Sequence, residues 1–298
     1  MGIRIISDST TEISQEEAQE LGIDIVPLRS IFGQEVYLDG IDLSPEEFYE
    51  KLEEAEELPT TSQPAPHDFE QVFRRAQAAG DQIIVLTIAS KLSGTYQSAC
   101  IARDACGGGG AGGGDGSGDD NGSNASGIWI IDSETTTLAL KMLVLRALEL
   151  RDEGKTAEEI VRTIESEKSS IYLFALIDTL EYLHKGGRLS RGSAIAGTLM
   201  KVKPIISLTH GEIKAIGKSL GMKKGYRELF RLTEEAGGID FEKPFAIGYT
   251  SNRERFEQFK QVGEAHWSGR TPEIASIGSV VGTHAGPGAV AVAFFALD

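Results

Sequence analysis

The run Ile83-Ile84-Val85-Leu86-Thr87-Ile88-Ala89 constrains the fold of this chain more than any other stretch. It is continuous, apolar and rich in β-branched residues, so it predicts a strand buried on both faces. A short polar loop follows, Ser90-Lys91-Leu92-Ser93-Gly94-Thr95. Tyr96-Gln97-Ser98-Ala99 then starts a helix, with Ser93 or Thr95 as its cap. A strand, a tight loop and a helix N-terminus present N–H groups and hydroxyls to the crevice above a sheet. The helix dipole favours an anion there.

The same alternation runs through the first half. Residues 3–6 predict a strand ending in Ser7-Asp8-Ser9-Thr10-Thr11, and Ser14 and Glu17 are spaced as a capping box. Residues 23–28 predict a second strand, and 31–38 a loosely alternating one beside it. Ser44-Pro45-Glu46-Glu47 is a helix start, with cap, proline and acids in place. The segment Pro59-Thr60-Thr61-Ser62-Gln63-Pro64-Ala65-Pro66 is extended, because each proline fixes its own φ and biases its predecessor away from helix. Helix resumes at Asp68 and ends near Gly80. Residues 128–133 form the next strand, followed by helices from Thr137 and from Thr156. Such alternation implies α/β architecture: a mainly parallel sheet with helices on both faces. Ligands in these folds sit at the carboxyl ends of strands. That rule points to Asp8-Ser9, to Ser90 through Thr95, and to Asp132-Ser133.

The second half changes character. It reads as strands at 171–176, 245–249, 273–277 and 289–296, with a hairpin over 202–216 turning at Thr209-His210-Gly211. Helices fall near 179–184, 222–236 and 252–264. This predicts an α+β unit with a largely antiparallel sheet. At roughly 100–200 residues per domain, the 298 residues make two domains, placed at 1–167 and 168–298. Residues 107–127, eleven of them glycine, read as a flexible surface insertion. They lack the nonapeptide period of a calcium-binding glycine-aspartate repeat.

Composition excludes several classes. A net charge of −16 argues against nucleic acid and anionic membranes as partners. Cys100 and Cys106 have no metal-ligand company and read as reduced thiols of a cytoplasmic protein. Neither a signal peptide nor a run of about 20 apolar residues is expected, so no membrane insertion. His67, His184, His210, His266 and His284 are scattered without spaced partners, and no metal is expected. Lys185-Gly186-Gly187-Arg188 matches no phosphate loop and reads as a solvated corner. Thr283-His284-Ala285-Gly286-Pro287-Gly288 sits between an apolar strand at 277–281 and the last strand, as a turn that pushes the imidazole into a cleft. Ser93 lacks the G-x-S-x-G elbow. A serine hydrolase using Ser93 and His284 stays open as an alternative, as does a phosphate-binding regulatory module.

Taken together, these stretches resemble the DegV family of bacterial fatty-acid-binding proteins. The matching pieces are Ser7-Asp8-Ser9-Thr10, Thr61-Ser62-Gln63-Pro64, Leu92-Ser93-Gly94-Thr95-Tyr96 and Ile131-Asp132-Ser133. Asp178 through Leu183 with Lys185-Gly186-Gly187-Arg188-Leu189-Ser190, Lys203-Pro204-Ile205 and His284-Ala285-Gly286-Pro287-Gly288-Ala289 continue the order. The resemblance implies a long-chain fatty acid, such as palmitate, held between the two domains. It implies a carboxylate held by Thr61 and Ser93, with Ser62, Gly94 and Thr95 close by and His284 near the head group. It implies a lipid carrier that is not an enzyme and uses no cofactor. A fourteen-carbon tail offers roughly 10 kcal/mol of burial before entropic costs. Some family members present their acid to a fatty acid kinase and carry an arginine after the hairpin. Here Leu220 stands at that place, in Gly217-Lys218-Ser219-Leu220-Gly221-Met222, and Lys218, Lys223 or Lys224 supplies charge without the forked geometry.

Overall fold

The computed structural model describes residues 2–108, 127–190 and 202–297, so most of the glycine-rich 107–127 insertion lies outside the described residues. β1 (Ile3–Asp8) leads to α1 (Gln15–Leu21), capped by Ser14, whose hydroxyl accepts from the Glu17 N–H at 3.1 Å. β2 (Asp24–Val26) follows. Where the sequence predicts one strand over 31–38, the chain forms two, β3 (Arg29–Phe32) and β4 (Glu35–Leu38). Gly33 reverses it at φ +59°, which glycine adopts at little cost. α2 (Pro45–Glu54) carries a complete capping box between Ser44 and Glu47. β5 (Thr60–Ser62) is the extended proline-flanked segment, paired with β3. α3 (Pro66–Ala78) starts two residues before its predicted Asp68, because that carboxylate accepts from the Ala65 N–H at 2.8 Å.

β6 (Gln82–Thr87) is the core of the buried run. α4 (Thr95–Arg103) has Gly94 as its N-cap and no side-chain cap; Ser93 and Thr95 bond each other instead. β7 (Ile128–Asp132), α5 (Thr137–Asp152) and α6 (Ala157–Glu167) complete the first half. The second half runs β8 (Ile171–Leu176), α7 (Glu181–Lys185), β9 (Val202–Thr209), β10 (Glu212–Leu220) and α8 (Met222–Glu235). It continues with β11 (Ala246–Tyr249), α9 (Arg253–Gly263), β12 (Glu273–Ser276), α10 (Ser279–Ala285) and β13 (Val290–Phe295).

α10 replaces the strand predicted at 277–281. Its first N–H groups find carboxylates rather than a strand partner: Gly278 N–H donates to Glu12 at 2.7 Å and Ser279 N–H to Asp39 at 2.9 Å. Free N–H groups and a positive dipole end make that pairing favourable. His284 therefore sits in the last turn of a helix, not in a loop.

The first sheet has order β2-β1-β6-β7 and is parallel throughout. The second has order β10-β9-β8-β13-β11-β12 and is antiparallel except where β11 meets β12. A small antiparallel sheet, β4-β3-β5, stands apart. α5 links the layers. Leu138, Leu140, Met142, Leu143 and Val144 are all fully buried, in one cluster with Ile84 of β6 and Leu173 of β8. A helix buried all round is a core helix, and each such side chain contributes about 1.5–3 kcal/mol. On the other face of the six-stranded sheet, α8 and α9 pack Phe230 and Phe259 against Phe174 and Phe294. No helix among the described residues is long and apolar enough to cross a membrane.

Candidate functional site

A cavity of about 450 Å³ lies over the inner face of the six-stranded sheet, in the size range of small-molecule sites. Its floor follows from strand register. Ile206, Ala175, Ala291 and Gly248 are cross-strand neighbours on β9, β8, β13 and β11, and all line the cavity. The two alanines at the centre of the sheet leave a trough where larger residues would fill the space, while Gly248 makes room for the Leu138 side chain of α5. Ile88 and Leu92, from the stretch after β6, and Val280 and Val281 of α10 complete an apolar lining.

Polar groups enter from several elements. β5 brings Thr61 and Ser62, and the residue after it Gln63; the loop before α4 brings Ser93 and Gly94; α10 brings His284. Thr61 Oγ1 lies 3.0 Å from His284 Nε2, and Ser93 Oγ lies 2.9 Å from Thr95 Oγ1. Thr95 itself is fully buried behind Ser93 and does not line the cavity. The Gln63 amide donates to Ser98 at 3.1 Å and lies directly over Gly94, where a Cβ would overlap it. That close approach explains why a glycine starts α4.

His284 is held neutral. Burial, and then the positive charge of Arg188, pull its pKa down to about 4. Its Nδ1 is buried without a partner among the described residues, and Gly186 packs so closely against it that a Cβ there would overlap the ring. Among the described residues no carboxylate orients the imidazole from behind, as a hydrolase triad requires, and Ser93 bonds Thr95.

Two residues escaped the sequence reading. Gln63 stood inside a quoted motif without a role. Arg188, read as a solvated corner, is partly buried and lines the cavity. Its Nε donates to Leu92 O at 3.1 Å and its Nη1 to Gly186 O at 2.7 Å. Nothing local in the sequence announces a contact to residue 92.

The other two predicted strand ends are used structurally. Asp8 accepts from Ile88 N–H at 2.7 Å and from the Thr10 hydroxyl at 2.6 Å, while burial pushes its carboxyl up to about 6. Asp132 accepts from the N–H groups of Ser90 at 3.0 Å and Glu134 at 3.1 Å. Both carboxylates brace the loops around the cavity without lining it. Among the described residues, no group of three His, Cys, Asp or Glu side chains is placed to hold a metal ion.

Comparison with known proteins gives the same family as the motifs. The family model described as "Uncharacterised protein, DegV family" matches residues 2–297. A DegV domain-containing protein of Caldanaerobacter subterraneus is 36% identical over 293 residues, covering 98% of each chain. A DegV family protein from Thermus thermophilus, whose structure is described by its fatty acid binding, superimposes with a TM-score of 0.84 at 29% identity over 100% of both chains. DegV of Bacillus subtilis, described as a fatty acid binding protein, gives 0.78 at 29% identity over 98% of both chains. With the model spanning nearly every residue and the relatives matching end to end, the chain belongs to the DegV family.

Proposed function

We propose that this protein is a carrier for one long-chain fatty acid, such as palmitate, bound between a first unit of residues 1–167 and a second of 168–298. The observation that carries the reading is the cavity: an apolar trough that meets hydroxyls and a guanidinium, with no carboxylate among its described lining residues. A carboxylate leaving water needs several donors. Thr61 and Ser93 supply hydroxyls, Ser62 and Gly94 flank them, and Thr95 orients Ser93. His284 keeps the Thr61 hydroxyl in place, and Arg188 adds positive potential. The fatty acid binding described for the Thermus and Bacillus relatives supports this assignment.

The protein acts in the cytoplasm as a binding protein, not as an enzyme, without metal or cofactor. The pairing of Ser93 with Thr95, and of His284 with Thr61, favours donors over a nucleophile and its base. Organic extraction of the purified protein followed by mass spectrometry tests the reading. A stoichiometric C16 to C18 acid is expected. Its absence, together with turnover of a chromogenic ester that Ser93→Ala abolishes, would replace the carrier with a hydrolase.

Presentation of the acid to a fatty acid kinase is a further step of the same reading. Leu220 lacks the charge that kinase-dependent members place there, and Lys218, Lys223 and Lys224 are the cations nearest in sequence. Formation of acyl-phosphate from the loaded protein by a kinase active on a control carrier would support this step. No product would confine the protein to binding and transport.

A further inference from the structure

The helix that joins the two larger sheets begins at the cavity without a cap. Thr136 precedes α5 and Thr137 opens it, and both line the cavity. An N-cap threonine ordinarily accepts from an N–H in the first turn, yet Thr136 makes no such bond. Its hydroxyl is buried with no partner among the described residues, in a residue only 7% exposed. The N–H groups of Thr137, Leu138 and Ala139 likewise meet no acceptor among the described residues. These three residues are buried, so bulk water does not serve them. A buried polar group with its bond unmade is costly, and a helix start in this state leaves a demand for a partner. Thr137 adds strain, because its φ of +49° is an outlier for a β-branched residue.

The place of this helix start along the cavity follows from α10. The Thr137 hydroxyl donates to Glu12 at 3.0 Å, and Glu12 accepts from the Gly278 N–H just ahead of α10 at 2.7 Å. Thr61 instead bonds His284, in the last turn of the same helix. At a rise of about 1.5 Å per residue, the path from Gly278 to His284 separates the two ends by roughly 9 Å. Val280 and Val281 line the cavity between them. The unpaired groups at α5 therefore lie along the tail, away from the head-group donors.

We propose that the start of α5 is a second polar subsite of the cavity, which takes a hydroxyl or keto oxygen carried in the middle of the acyl chain. Such an oxygen accepts from the free N–H groups, and a hydroxyl also exchanges a hydrogen bond with Thr136. A second anion does not suit the place, because the buried carboxyls of Glu12 and Asp39 meet the start of α10 beside it. A plain chain leaves these polar groups unpaired, and unpaired buried groups are what lets a site reject the analogue that lacks an oxygen. The inference rests on the fatty-acid reading and names, within it, an acid oxygenated in mid-chain.

Competition tests it. Delipidated protein is incubated with equal amounts of stearate, 2-hydroxystearate and 10-hydroxystearate, washed, and extracted for mass spectrometry. The 10-hydroxy acid is expected to be retained roughly two- to tenfold over stearate, the span of one net hydrogen bond. Thr136→Val removes the hydroxyl at similar shape and should cut that preference by about half or more. Its urea midpoint should not fall, because the valine forfeits no bond; a fall would show the hydroxyl already partnered and overturn the proposal. Equal retention of stearate and the 10-hydroxy acid would also overturn it, leaving the groups to water alone. So would a preference for 2-hydroxystearate, which puts the oxygen at the head group, or a preference that survives Thr136→Val intact. Capture of none of the three acids would sink the carrier reading and the subsite with it, whereas equal capture of all three would sink the subsite alone.

Discussion

Replacing His284 with glutamine should reveal a pH-dependent term that the intact protein hides. At pH 7 the imidazole is neutral in both folded and unfolded chains. Its ordinary pKa is 6.5, and burial with Arg188 nearby lowers it to about 4 in the fold. As pH falls from 6.5 towards 4, the unfolded chain binds a proton that the folded one refuses. Stability present above pH 6.5 is therefore lost through that window. Between pH 7 and pH 5, linkage makes the loss about 2 kcal/mol.

Asp8 acts in the opposite sense. Its carboxyl is raised from 3.8 to about 6, so the folded state binds its proton first and gains stability as pH falls through 6. Asp39 and Glu12 are raised as well, both mainly by burial. The wild-type curve thus sums opposing terms, and only the difference between variants isolates the histidine. Glutamine can keep the hydrogen bond to Thr61 without titrating. Urea unfolding of ligand-free wild type and His284→Gln at pH 7 and pH 5 gives that difference. The wild type should lose about 2 kcal/mol relative to the variant on acidification. A difference that stays constant between the two pH values would refute the neutral, desolvated histidine.

Three further outcomes test the site. Ser93→Ala removes one donor to the carboxylate and should weaken fatty acid binding by ~1–3 kcal/mol; unchanged affinity in a fluorescent-acid displacement assay would remove Ser93 from the head-group contacts. Gly94→Ala forces the Gln63 amide away, so it should lower the urea midpoint and weaken binding together; a silent substitution would show that the close approach is unimportant. Ala291→Leu fills the trough beside Ala175 and Gly248, and extraction with mass spectrometry should show shorter acids than wild type. An unchanged chain-length profile would mean the tail does not cross that row.

Where the determinants were local, the sequence was enough. The buried run of β6 and the cap, proline and first-turn acids of α2 each sit within a few residues, and both formed as predicted. The β3–β4 reversal was missed because a lone Gly33 in a loosely alternating run carries no second turn signal. α10 was missed because Ile277-Gly278-Ser279-Val280-Val281 reads as strand, while carboxylates more than 200 residues away decide otherwise. The site divides in the same way. The loop after β6 was flagged as an anion site from its own chemistry. Thr61 and His284 joined it only through family resemblance, because nothing in their spacing brings β5 to α10. Arg188 was misread since its partner, Leu92 O, lies 96 residues off.

The buried acids explain how the two halves share one site. α10 carries Val280, Val281 and His284 to the cavity, so its direction sets the imidazole. That direction is imposed from the first half of the chain: Glu12 and Asp39 take the leading N–H groups, Ser30 bonds Ser279 at 2.6 Å, and Tyr49 donates to Ile277 O at 3.0 Å. Burial, with Asp39 beside it, holds the Glu12 carboxyl well above its usual range, which marks the arrangement as costly. Apolar residues would pack there with more stability, but they accept no N–H and fix no helix. The stability forgone at Glu12 and Asp39 fixes His284 two turns along, and His284 in turn holds the Thr61 hydroxyl. The Thr61 hydroxyl on β5, the proposed head-group donor, is thus positioned by acids that do not line the cavity, and a sequence motif at Thr61 alone is not sufficient to build this arrangement.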